Sequence, residues 1–408
     1  MAERARERQG PREAAAAVAA RLESAGFTAY FAGGCVRDEL MGHAPADYDV
    51  ATNATPDQIR GLYAGARGVG EHFGVMLVRQ GGRTIEVATF RGEGAYADGR
   101  RPGHVEFSDE RTDALRRDFT INGLFMKPAT GEVIDHVGGR TDLASRTLRA
   151  IGNADARLEE DRLRLLRAVR FAARFGFEME PATREAVRRH APELRGVSRE
   201  RVGHEVRRML AHDSRAVAIG LIETLGLAPA TLLEEGACDL ARVRALAADA
   251  SVHAALAAWM LDRAHALPWP ERLSRWTAGL ILSNAEVDAV AAALRARDAL
   301  RERWDGLGVA GRKRLAAGPG FEDALALLEA ERDARAAGIR ATVAELARTG
   351  LAPVPLVDGH ALQALGLTPG PSFRRILDAV YDAQLEGRVG TLEEARKLAL
   401  QVASGAQG

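Results

Sequence analysis

The sequence predicts an α+β fold in which a mixed β-sheet with helices is followed by an all-helical remainder. Residues 27–145 contain short runs rich in β-branched and aromatic residues, such as FTAYFAGG, GVMLVRQ and RTIEVATF, separated by Gly, Asp and Pro. From about Asp142 these runs fade, and apolar residues recur at helical spacing, as in RLEEDRLRLLRAVRFAARFG. Strands mixed with helices, followed by helices alone, indicate an α+β head and a helical arm.

The elements divide the chain into four segments. Residues 1–26 contain an amphipathic helix from about Pro11 to Ser24, which leads into the sheet. Residues 27–145 form the α+β head, and residues 146–215 form a helical segment. Residues 216–408 form a further helical region, with breaks at LPWPER, AAGPGFED and LAPVPLVDGH. The sheet is therefore expected in the second segment.

Composition and charge exclude several classes of protein. The 408 residues carry a formal net charge of zero, with 47% hydrophobic and 27% charged residues, which is typical of a globular chain that is not basic throughout. The two cysteines show no CxxC spacing, so neither a disulfide framework nor a zinc site is indicated, and a cytoplasmic location is expected. No segment has the length and hydrophobicity of a membrane span, so no membrane partner is expected.

One stretch departs from this neutral balance. From Arg140 to Arg215 the chain contains 18 Arg and no Lys against 12 Asp plus Glu, a surplus of six positive charges. A locally basic helical segment is suited to contact the phosphate backbone of a nucleic acid.

Two carboxylates one residue apart end the stretch GGCVRDELMGHAPADYDVAT. Asp47 and Asp49 lie in an expected strand, where alternate side chains point the same way about 6.5 to 7 Å apart, a spacing that suits a pair of Mg²⁺ ions. Ordinary surface turns contain the same pair, so the pattern alone is weak. Glu86 is the candidate third carboxylate if its strand lies beside that of the aspartates; the alternative is a solvated or ion-paired strand residue.

The double glycine gives the carboxylates their context. Gly33 and Gly34 follow the apolar run AYFA, and without a β-carbon their backbone N–H groups can approach phosphate oxygens. Arg37 is then placed to pair with a phosphate, and Asp38 to orient Arg37. A tight strand-to-helix turn is the other interpretation of the glycines. The joint pattern favours a site for a nucleoside triphosphate with its metal ions.

The motif LRRDFTIN places Arg117, Asp118 and Asn122 near an expected strand-to-helix junction. Adjacent arginines, an acceptor and an amide suit a site that binds a triphosphate and a sugar hydroxyl together. A capped helix start with solvated charges is the alternative.

The motif EDRLRLLRAVRF places Asp161 and Arg164 three residues apart, with Arg167 close by, so that on one helix they share a face. Such pairs are usually surface ion pairs that contribute less than about 1 kcal/mol. Beside a nucleotide site, however, the carboxylate can accept from the amino group of cytosine or adenine while the guanidinium donates to the ring. Uracil and guanine would present a carbonyl to the carboxylate, which disfavours them by about 1 to 3 kcal/mol.

These motifs, with EVATFRGEGAYADGRRP and SRERVGHEVRRML, stand in the order seen in class II tRNA nucleotidyltransferases, which include CCA-adding enzymes and bacterial poly(A) polymerases. The sequence resembles this family densely from about residue 27 to 235. The resemblance implies a polymerase-β-like nucleotidyltransferase head at 27–145, a neck with a base-templating motif at 146–215, and a tRNA-binding body and tail at 216–408. It implies addition of CCA to tRNA from CTP and ATP without a nucleic-acid template, with Mg²⁺ as cofactor.

The resemblance also implies roles for individual residues: Asp47 and Asp49 as Mg²⁺ ligands; Gly33, Gly34, Arg37 and Asp38 around the triphosphate; Arg117, Asp118 and Asn122 at the ribose and phosphates; and Asp161, Arg164 and Arg167 as the template for the incoming base. The segment from Arg91 to Pro102 resembles the loop that helps the site change from C to A. In family terms, residues 198–210 would brace the templating helix, with Glu205 or Glu160 as partners of arginines. Gly123 stands where Ala is usual in the family.

Three alternatives share the motifs of the head. An enzyme that adds only the terminal A and a poly(A) polymerase belong to the same family, and retention of the loop weighs only against an enzyme restricted to CC. An RNA-binding protein without activity is the alternative of another class, and the intact Asp47, Asp49 and Asp161 argue against it.

Overall fold

Two structural units make up the chain in the computed structural model. The structure describes residues 9–69, 74–92, 107–263 and 267–404. The first unit comprises Met1–Met209 and Gly220–Glu234, and the second comprises Leu210–Ile219 and Glu235–Gly408.

A seven-stranded sheet forms the centre of the first unit. Its strands are β1 (Ala29–Ala32), β2 (Val50–Thr52), β3 (Arg67–Gly68), β4 (Val75–Gln80), β5 (Arg83–Thr89), β6 (Leu124–Met126) and β7 (Val133–Asp135). They lie side by side in the order β3-β4-β5-β2-β1-β6-β7. β2 and β5 run parallel, whereas the other neighbouring pairs are antiparallel. The predicted mixed sheet is confirmed.

Five helices accompany this sheet: α1 (Pro11–Ser24), α2 (Gly34–Leu40), α3 (Pro56–Leu62), α4 (Glu110–Leu115) and α5 (Gly139–Ala144). The predicted amphipathic helix is confirmed in α1. Its start is fixed by Pro11 in the first turn and by the Glu13 carboxylate, which accepts from the Gly10 N–H at 3.1 Å. Its small apolar face is buried and packs on the sheet through Ala14, Ala15, Val18, Ala19 and Leu22.

Helices dominate after α5, as the sequence predicts. They begin with α6 (Ala154–Glu160), α7 (Arg164–Phe175), α8 (Pro181–His190), α9 (Arg199–Leu210), α10 (Arg215–Thr224) and α11 (Ala228–Leu232). The expectation of helices alone is wrong at one place, where β8 (Thr147–Leu148) pairs in parallel with β9 (Glu178–Met179). Gly176 causes this exception, because its left-handed conformation (φ 63°) ends α7 and returns the chain to Arg146.

The described elements of the second unit after α11 are all helical: α12 (Ala241–Ala245), α13 (Val252–Asp262), α14 (Trp269–Leu280), α15 (Asn284–Glu302), α16 (Val309–Ala316), α17 (Phe321–Ala330), α18 (Ala336–Ala347), α19 (Gly359–Ala364), α20 (Pro371–Leu385) and α21 (Leu392–Ser404). Trp259 and Trp276 pack edge to face, with ring centroids 5.2 Å apart. The buried Glu331 carboxylate accepts from Arg242 and Arg297. Among the described helices, none has the length and apolar character needed to cross a membrane.

Candidate active site

The double glycine forms the turn between β1 and α2. Gly33 has φ 67°, a left-handed conformation, and its N–H donates to the Leu124 carbonyl at 3.0 Å. A β-carbon on Gly33 would lie 2.9 Å from Nη1 of Arg117, so glycine is required both for the conformation and for the approach of this arginine. The turn thereby brings the end of β1 against an arginine from a distant motif.

The three predicted carboxylates lie just before β2 and on its neighbour β5, which are central strands of the sheet. Asp47 and Asp49 immediately precede β2 and are exposed, whereas Tyr48 between them is buried and packs edge to face on Phe31. This alternation agrees with both aspartates pointing to the same side of the chain, but the prediction that they lie in a strand is wrong, because β2 begins only at Val50. In the parallel pairing of β2 with β5, Val50 faces Val87, so Glu86 is the neighbour of Asp49.

The carboxylates repel one another. Packing of protein atoms around Asp49, together with the charges of Glu86 and Asp47, raises the pKa of Asp49 to about 6, and the more distant Arg117 offsets this only in part. Among the described residues, no side-chain hydrogen bond or ion pair holds any of the three carboxylates. Within the described ranges, their negative charge is therefore offset only by the field of Arg117 at Asp49.

This donor set fits a divalent cation of the Mg²⁺ type, which prefers hard oxygen ligands and shares them with phosphates. Within the described ranges, no group of three His, Cys, Asp or Glu side chains is already gathered at ligand distance. The fit to a metal thus rests on the chemistry of two aspartates and a neighbouring glutamate whose charges oppose one another.

The LRRDFTIN motif lies at a helix-to-strand junction, so the predicted strand-to-helix junction is wrong. The capping Asp109 carboxylate accepts from the Thr112 N–H at 2.8 Å and starts α4 before the motif, which then passes through a 3-10 turn (Thr120–Asn122) into β6. The helix ends at Leu115, which leaves both arginines of the motif at its carboxyl end.

Asp113 in α4, which sequence reasoning missed, holds both arginines. Its Oδ1 accepts from Nε of Arg116 at 2.9 Å, and its Oδ2 accepts from Nε and Nη2 of Arg117 at 3.0 and 2.9 Å. Burial alone would raise the pKa of Asp113, but Arg117 and Arg116 outweigh it and lower the pKa. The spacing of three and four residues from Asp113 to the arginines was the available signal.

Asp118 and Asn122 join this motif to Arg37 and Arg167. The buried Asp118 accepts from Nε and Nη2 of Arg167 at 2.8 and 2.6 Å and from the Asn122 amide at 3.0 Å. Asn122 in turn accepts from Nη1 of Arg37 at 2.6 Å. Burial opposes ionisation of Asp118, but Arg167 and the hydrogen bonds lower its pKa overall. These side chains form one connected network.

Arg37 and Asp38 are paired as the sequence suggested, since Nε of Arg37 donates to Asp38 at 2.8 Å. Arg37 is nevertheless buried, and its guanidinium lies 4.5 Å from the ring centroid of Phe175. Its contacts therefore brace the double-glycine turn against α7, in addition to bordering the cavity.

Asp161 and Arg164 do not share one helix, contrary to the prediction. The chain breaks between α6 and α7: Asp161 precedes a turn in which its carboxylate accepts from the Leu163 N–H at 3.1 Å, and Arg164 is the first residue of α7. The side-chain bond to the backbone competes with helix continuation. Arg201 of α9 donates to the other Asp161 oxygen at 2.7 Å.

Glu160 and Glu205 bind arginines, in agreement with the roles that the resemblance implied. Glu160 accepts from Nη1 of Arg164 at 2.6 Å, and Glu205 accepts from Nε of Arg170 at 2.6 Å. Because Glu205 lies in α9 and Arg170 in α7, α9 supports α7.

A single cavity of about 570 Å³ in the first unit brings the predicted residues together. It is lined by Gly33, Gly34, Arg37, Asp49, Glu86, Arg117, Asp118, Asn122, Asp161, Arg164 and Arg167. Asp38 and Asp47 do not line it. Arg116, the other of the two adjacent arginines of LRRDFTIN, lines it as well. Further lining residues that were not predicted are Arg91, Arg170, Phe171, Arg174 and Arg208. The repeat of Arg164, Arg167, Arg170 and Arg174 at helical spacing was a signal for two of them.

The segment from Arg91 to Pro102, which resembles the loop of the family, is described only at its start. Arg91 and Gly92 lie within the described residues, and the positions from 93 to 102 lie outside them.

Two family models match the chain. The model described as the poly(A) polymerase head domain matches residues 29–149. The model described as a probable RNA and SrmB-binding site of polymerase A matches residues 176–235. The first match covers the sheet and its carboxylates, and the second covers α8 to α11.

Relatives extend the likeness beyond these ranges. The CCA-adding enzyme of Lactiplantibacillus plantarum is 33% identical over 403 residues, which cover 94% of this chain and 94% of the relative. The CCA-adding enzyme of Bacillus pumilus is 41% identical over 206 residues, a match that spans about half of each protein (50% and 51%). In structure, the chain is similar to a Bacillus stearothermophilus CCA-adding enzyme in complex with CTP, with 26% identity, a TM-score of 0.77 and coverage of 98% and 99%.

Fold and cleft together define a nucleotidyltransferase. The chain belongs to the class II family that comprises the CCA-adding enzymes and the bacterial poly(A) polymerases. Nucleotidyltransferases of this family generally use a divalent metal ion, which agrees with the carboxylates described above.

Proposed function

We propose that this protein adds the 3′-terminal CCA to tRNA, using CTP and ATP and no nucleic-acid template. The observation that carries the proposal is one cleft in which Asp49 and Glu86 face an arginine-rich wall and the Asp161 and Arg164 side chains. A relative named CCA-adding enzyme, similar over 94% of the chain, supports it further. Carboxylates and arginines alone would suit any nucleotide transfer, and the additional acceptor and donor suit selection of a base.

The reaction joins the tRNA 3′-hydroxyl to the α-phosphorus of the nucleotide, with pyrophosphate as leaving group. Asp47, Asp49 and the neighbouring Glu86 would hold Mg²⁺ beside the central strands β2 and β5. When bound, Mg²⁺ supplies positive charge that lowers the pKa of the attacking hydroxyl and neutralises the leaving pyrophosphate. Tyr48 lies between the two aspartates, and its buried ring packs on Phe31. This packing anchors the chain there and so fixes the direction of both aspartates.

Binding of the triphosphate is assigned to the arginine wall. Asp113 carries one negative charge between Arg116 and Arg117, so a net positive charge remains for phosphate oxygens. Arg174 and Arg208 also line the cavity, and within the described part of the chain neither forms an ion pair. Arg116 and Arg117, which Asp113 holds in place, bind a triphosphate with little reorganisation.

Base selection is assigned to Asp161 and Arg164. Both Asp161 oxygens already accept one hydrogen bond, and each oxygen retains a second acceptor site. Arg164 uses three N–H groups, toward the Arg157 carbonyl, Glu160 and the Arg116 carbonyl, and a guanidinium has five. The pair can therefore accept from an amino group and donate to the ring of cytosine or adenine.

Binding of tRNA would depend on phosphate and shape contacts, because one enzyme has to accept every tRNA. The arginine surplus between Arg140 and Arg215 supports this mode. We expect tRNA affinity to fall steeply with rising salt concentration, and a flat response would contradict the assignment of this surface. A cytoplasmic site of action is part of the proposal, and it agrees with Cys35 and Cys238 not being joined in a disulfide.

The test uses purified protein and three transcripts of one tRNA, ending before CCA, after C and after CC, with Mg²⁺ and with CTP, ATP or both. Completion of all three transcripts to CCA is the expected result. Extension of only the CC-ended transcript by one A would make the protein an A-adding enzyme, and long A tracts would make it a poly(A) polymerase. Binding of tRNA without any incorporation would identify an inactive RNA-binding protein.

A further inference from the structure

Asp113 is the buried carboxylate around which the arginine side of the cleft is built. Its side chain is 2% exposed, and both oxygens are occupied: one by Arg116 and the other by Arg117. Since its oxygens are saturated by protein donors, Asp113 does not itself line the cavity. Any effect on the reaction has to pass through the residues that it holds.

The same carboxylate also binds the backbone beyond β5. Oδ1 of Asp113 accepts from the Arg91 N–H at 3.2 Å, and Nε of Arg116 donates to the Arg91 carbonyl at 3.2 Å. Arg91 also forms an isolated bridge with Phe107. Both backbone polar groups of Arg91 are thus tied to the α4 junction through Asp113 and its partner.

This connection joins the two sides of the cleft. β5 ends at Thr89 and carries Glu86, the strand neighbour of Asp49. The α4 junction carries Arg116 and Arg117. Asp113 thus bonds both to Arg91, two residues after the end of β5, and to two arginines that line the cavity, Arg116 and Arg117.

We propose that Asp113 is a positioning residue that sets the separation between the carboxylates of β2 and β5 and the arginines that bind the triphosphate. The inference rests on the proposed function for the identity of the nucleotide. Asp113 would thereby control the distance of the α-phosphorus from Asp49, because the phosphates of the bound nucleotide would lie between Asp49 and the arginines Arg116 and Arg117. Asp113 acts on phosphates that CTP and ATP share, so both nucleotides depend on it equally.

The test compares Asp113→Asn with the unmodified full-length protein. The asparagine keeps the size of the side chain, but its amide nitrogen points donors at one guanidinium and releases that arginine. We expect the KM for CTP and the KM for ATP to rise together by about 10-fold or more, as for loss of a charge-assisted hydrogen bond. The inhibition constant of inorganic pyrophosphate should rise by the same factor, while the Kd for tRNA and the choice among the four nucleotides stay unchanged.

Asp262→Asn is the matched control. Asp262 is also a buried aspartate that binds an arginine, Arg242, and backbone N–H groups, but it belongs to the second unit. It should reduce thermal stability to a similar degree without a change in the KM for either nucleotide. Asp113→Glu is the second variant in case Asp113→Asn fails to fold, since it keeps the charge and displaces the oxygens; it should raise both KM values a few-fold.

Two outcomes would overturn the inference: wild-type KM and pyrophosphate inhibition in folded Asp113 variants, or a rise for one nucleotide alone. Calorimetric binding of CTP and of pyrophosphate separates this inference from the proposed function. If the unmodified protein binds both but extends no tRNA, the proposed function fails, and the affinities of the Asp113 variants still decide the inference.

Discussion

The two sides of the cleft treat charge in opposite ways. On one side, Asp47, Asp49 and Glu86 have no ion pair within the described residues, and desolvation together with the charges of Glu86 and Asp47 raises the pKa of Asp49 to about 6. On the other side, carboxylates hold the arginines: Arg116 and Arg117 bind Asp113, Arg164 binds Glu160, and Arg167 binds Asp118.

The difference indicates how each side meets its ligand. Unpaired carboxylates store repulsion at neutral pH that a bound cation relieves, so this side gains order and stability with its metal. Paired arginines are already fixed before the substrate arrives, so that side binds phosphate without rearrangement. One side depends on a ligand for its electrostatic balance, and the other depends on the protein.

Loss of the unpaired charge at Asp49 should have the largest effect on activity. We expect Asp49→Ala to reduce nucleotide incorporation by at least about 1,000-fold. It removes a ligand of the metal ion, which stabilises the charge that develops in the transition state by several kcal/mol. Thermal stability without metal should stay equal or increase, since a repulsion is removed. Asp57→Ala, at an exposed aspartate that pairs with Arg60, is the control and should leave both activity and stability unchanged. Substantial turnover by Asp49→Ala would contradict the metal assignment.

Removal of the Asp161 carboxylate tests the arginine side of the cleft and should have the next-largest effect. We expect Asp161→Ala to reduce the preference for CTP and ATP over UTP and GTP by about 10- to 100-fold, because one acceptor for the amino group is lost. Competition among four labelled nucleotides measures this ratio. Asp155→Ala, which removes an acid of α6 that binds Arg189 and His190, is the control. An unchanged preference in Asp161→Ala would remove the templating role.

The pH dependence tests the carboxylate side without mutation. Only the ionised carboxylate binds metal, so the Mg²⁺ concentration for half-maximal activity should rise about 10-fold per pH unit below 6. Without metal, the native state binds the Asp49 proton more tightly than the unfolded chain between pH 3.8 and about 6. This group's contribution to stability therefore falls as pH rises through that window. Equal Mg²⁺ requirements at pH 5 and 7 would contradict the raised pKa.

The smallest expected effect concerns the support of the aspartates. The Tyr48 hydroxyl donates to Glu39, which also binds Arg12, so Tyr48→Phe removes one hydrogen bond worth about 1 kcal/mol. Activity should fall only a few-fold, together with a higher Mg²⁺ requirement. Tyr63→Phe is the matched control, because the Tyr63 hydroxyl donates to the Val18 carbonyl at 2.9 Å and does not support a carboxylate. An equal Mg²⁺ effect in both variants would show that Tyr48 does not position the aspartates.

The sequence predicts local features of the fold and site well where a short-range pattern determines them. The helix Pro11–Ser24 follows from its proline start and apolar face. The alternation of exposed Asp47, buried Tyr48 and exposed Asp49 was also expected, although the expected strand begins only at Val50. The position of Glu86 beside Asp49 was also expected from neighbouring strands, and the parallel pairing of β2 and β5 provides it.

The remaining features of the site could not be predicted, because they depend on contacts between residues that are distant in sequence. The apolar pattern runs without interruption through Asp161 and Arg164, and the break between α6 and α7 depends on bonds of Asp161 to Leu163 and to the distant Arg201. Arg167 binds Asp118, 49 residues away in sequence, and no local rule selects that partner. The spacing of Asp113 from Arg116 and Arg117 was a local signal, but its bond to the Arg91 N–H, 22 residues away, could not be predicted from the sequence.

Cys35 of α2, directly behind the double-glycine turn, gives the protein a chemical reporter of its own. Burial raises the pKa of the Cys35 thiol to about 12, and Sγ donates to the Ala32 carbonyl at 3.4 Å. In the native state, almost no Cys35 thiolate is present at neutral pH. Alkylating reagents therefore react with Cys35 only when local unfolding exposes it. The rate at which iodoacetamide labels Cys35 therefore reports local unfolding around α2, and slower labelling with CTP or Mg²⁺ would measure how far each ligand stabilises this part of the core.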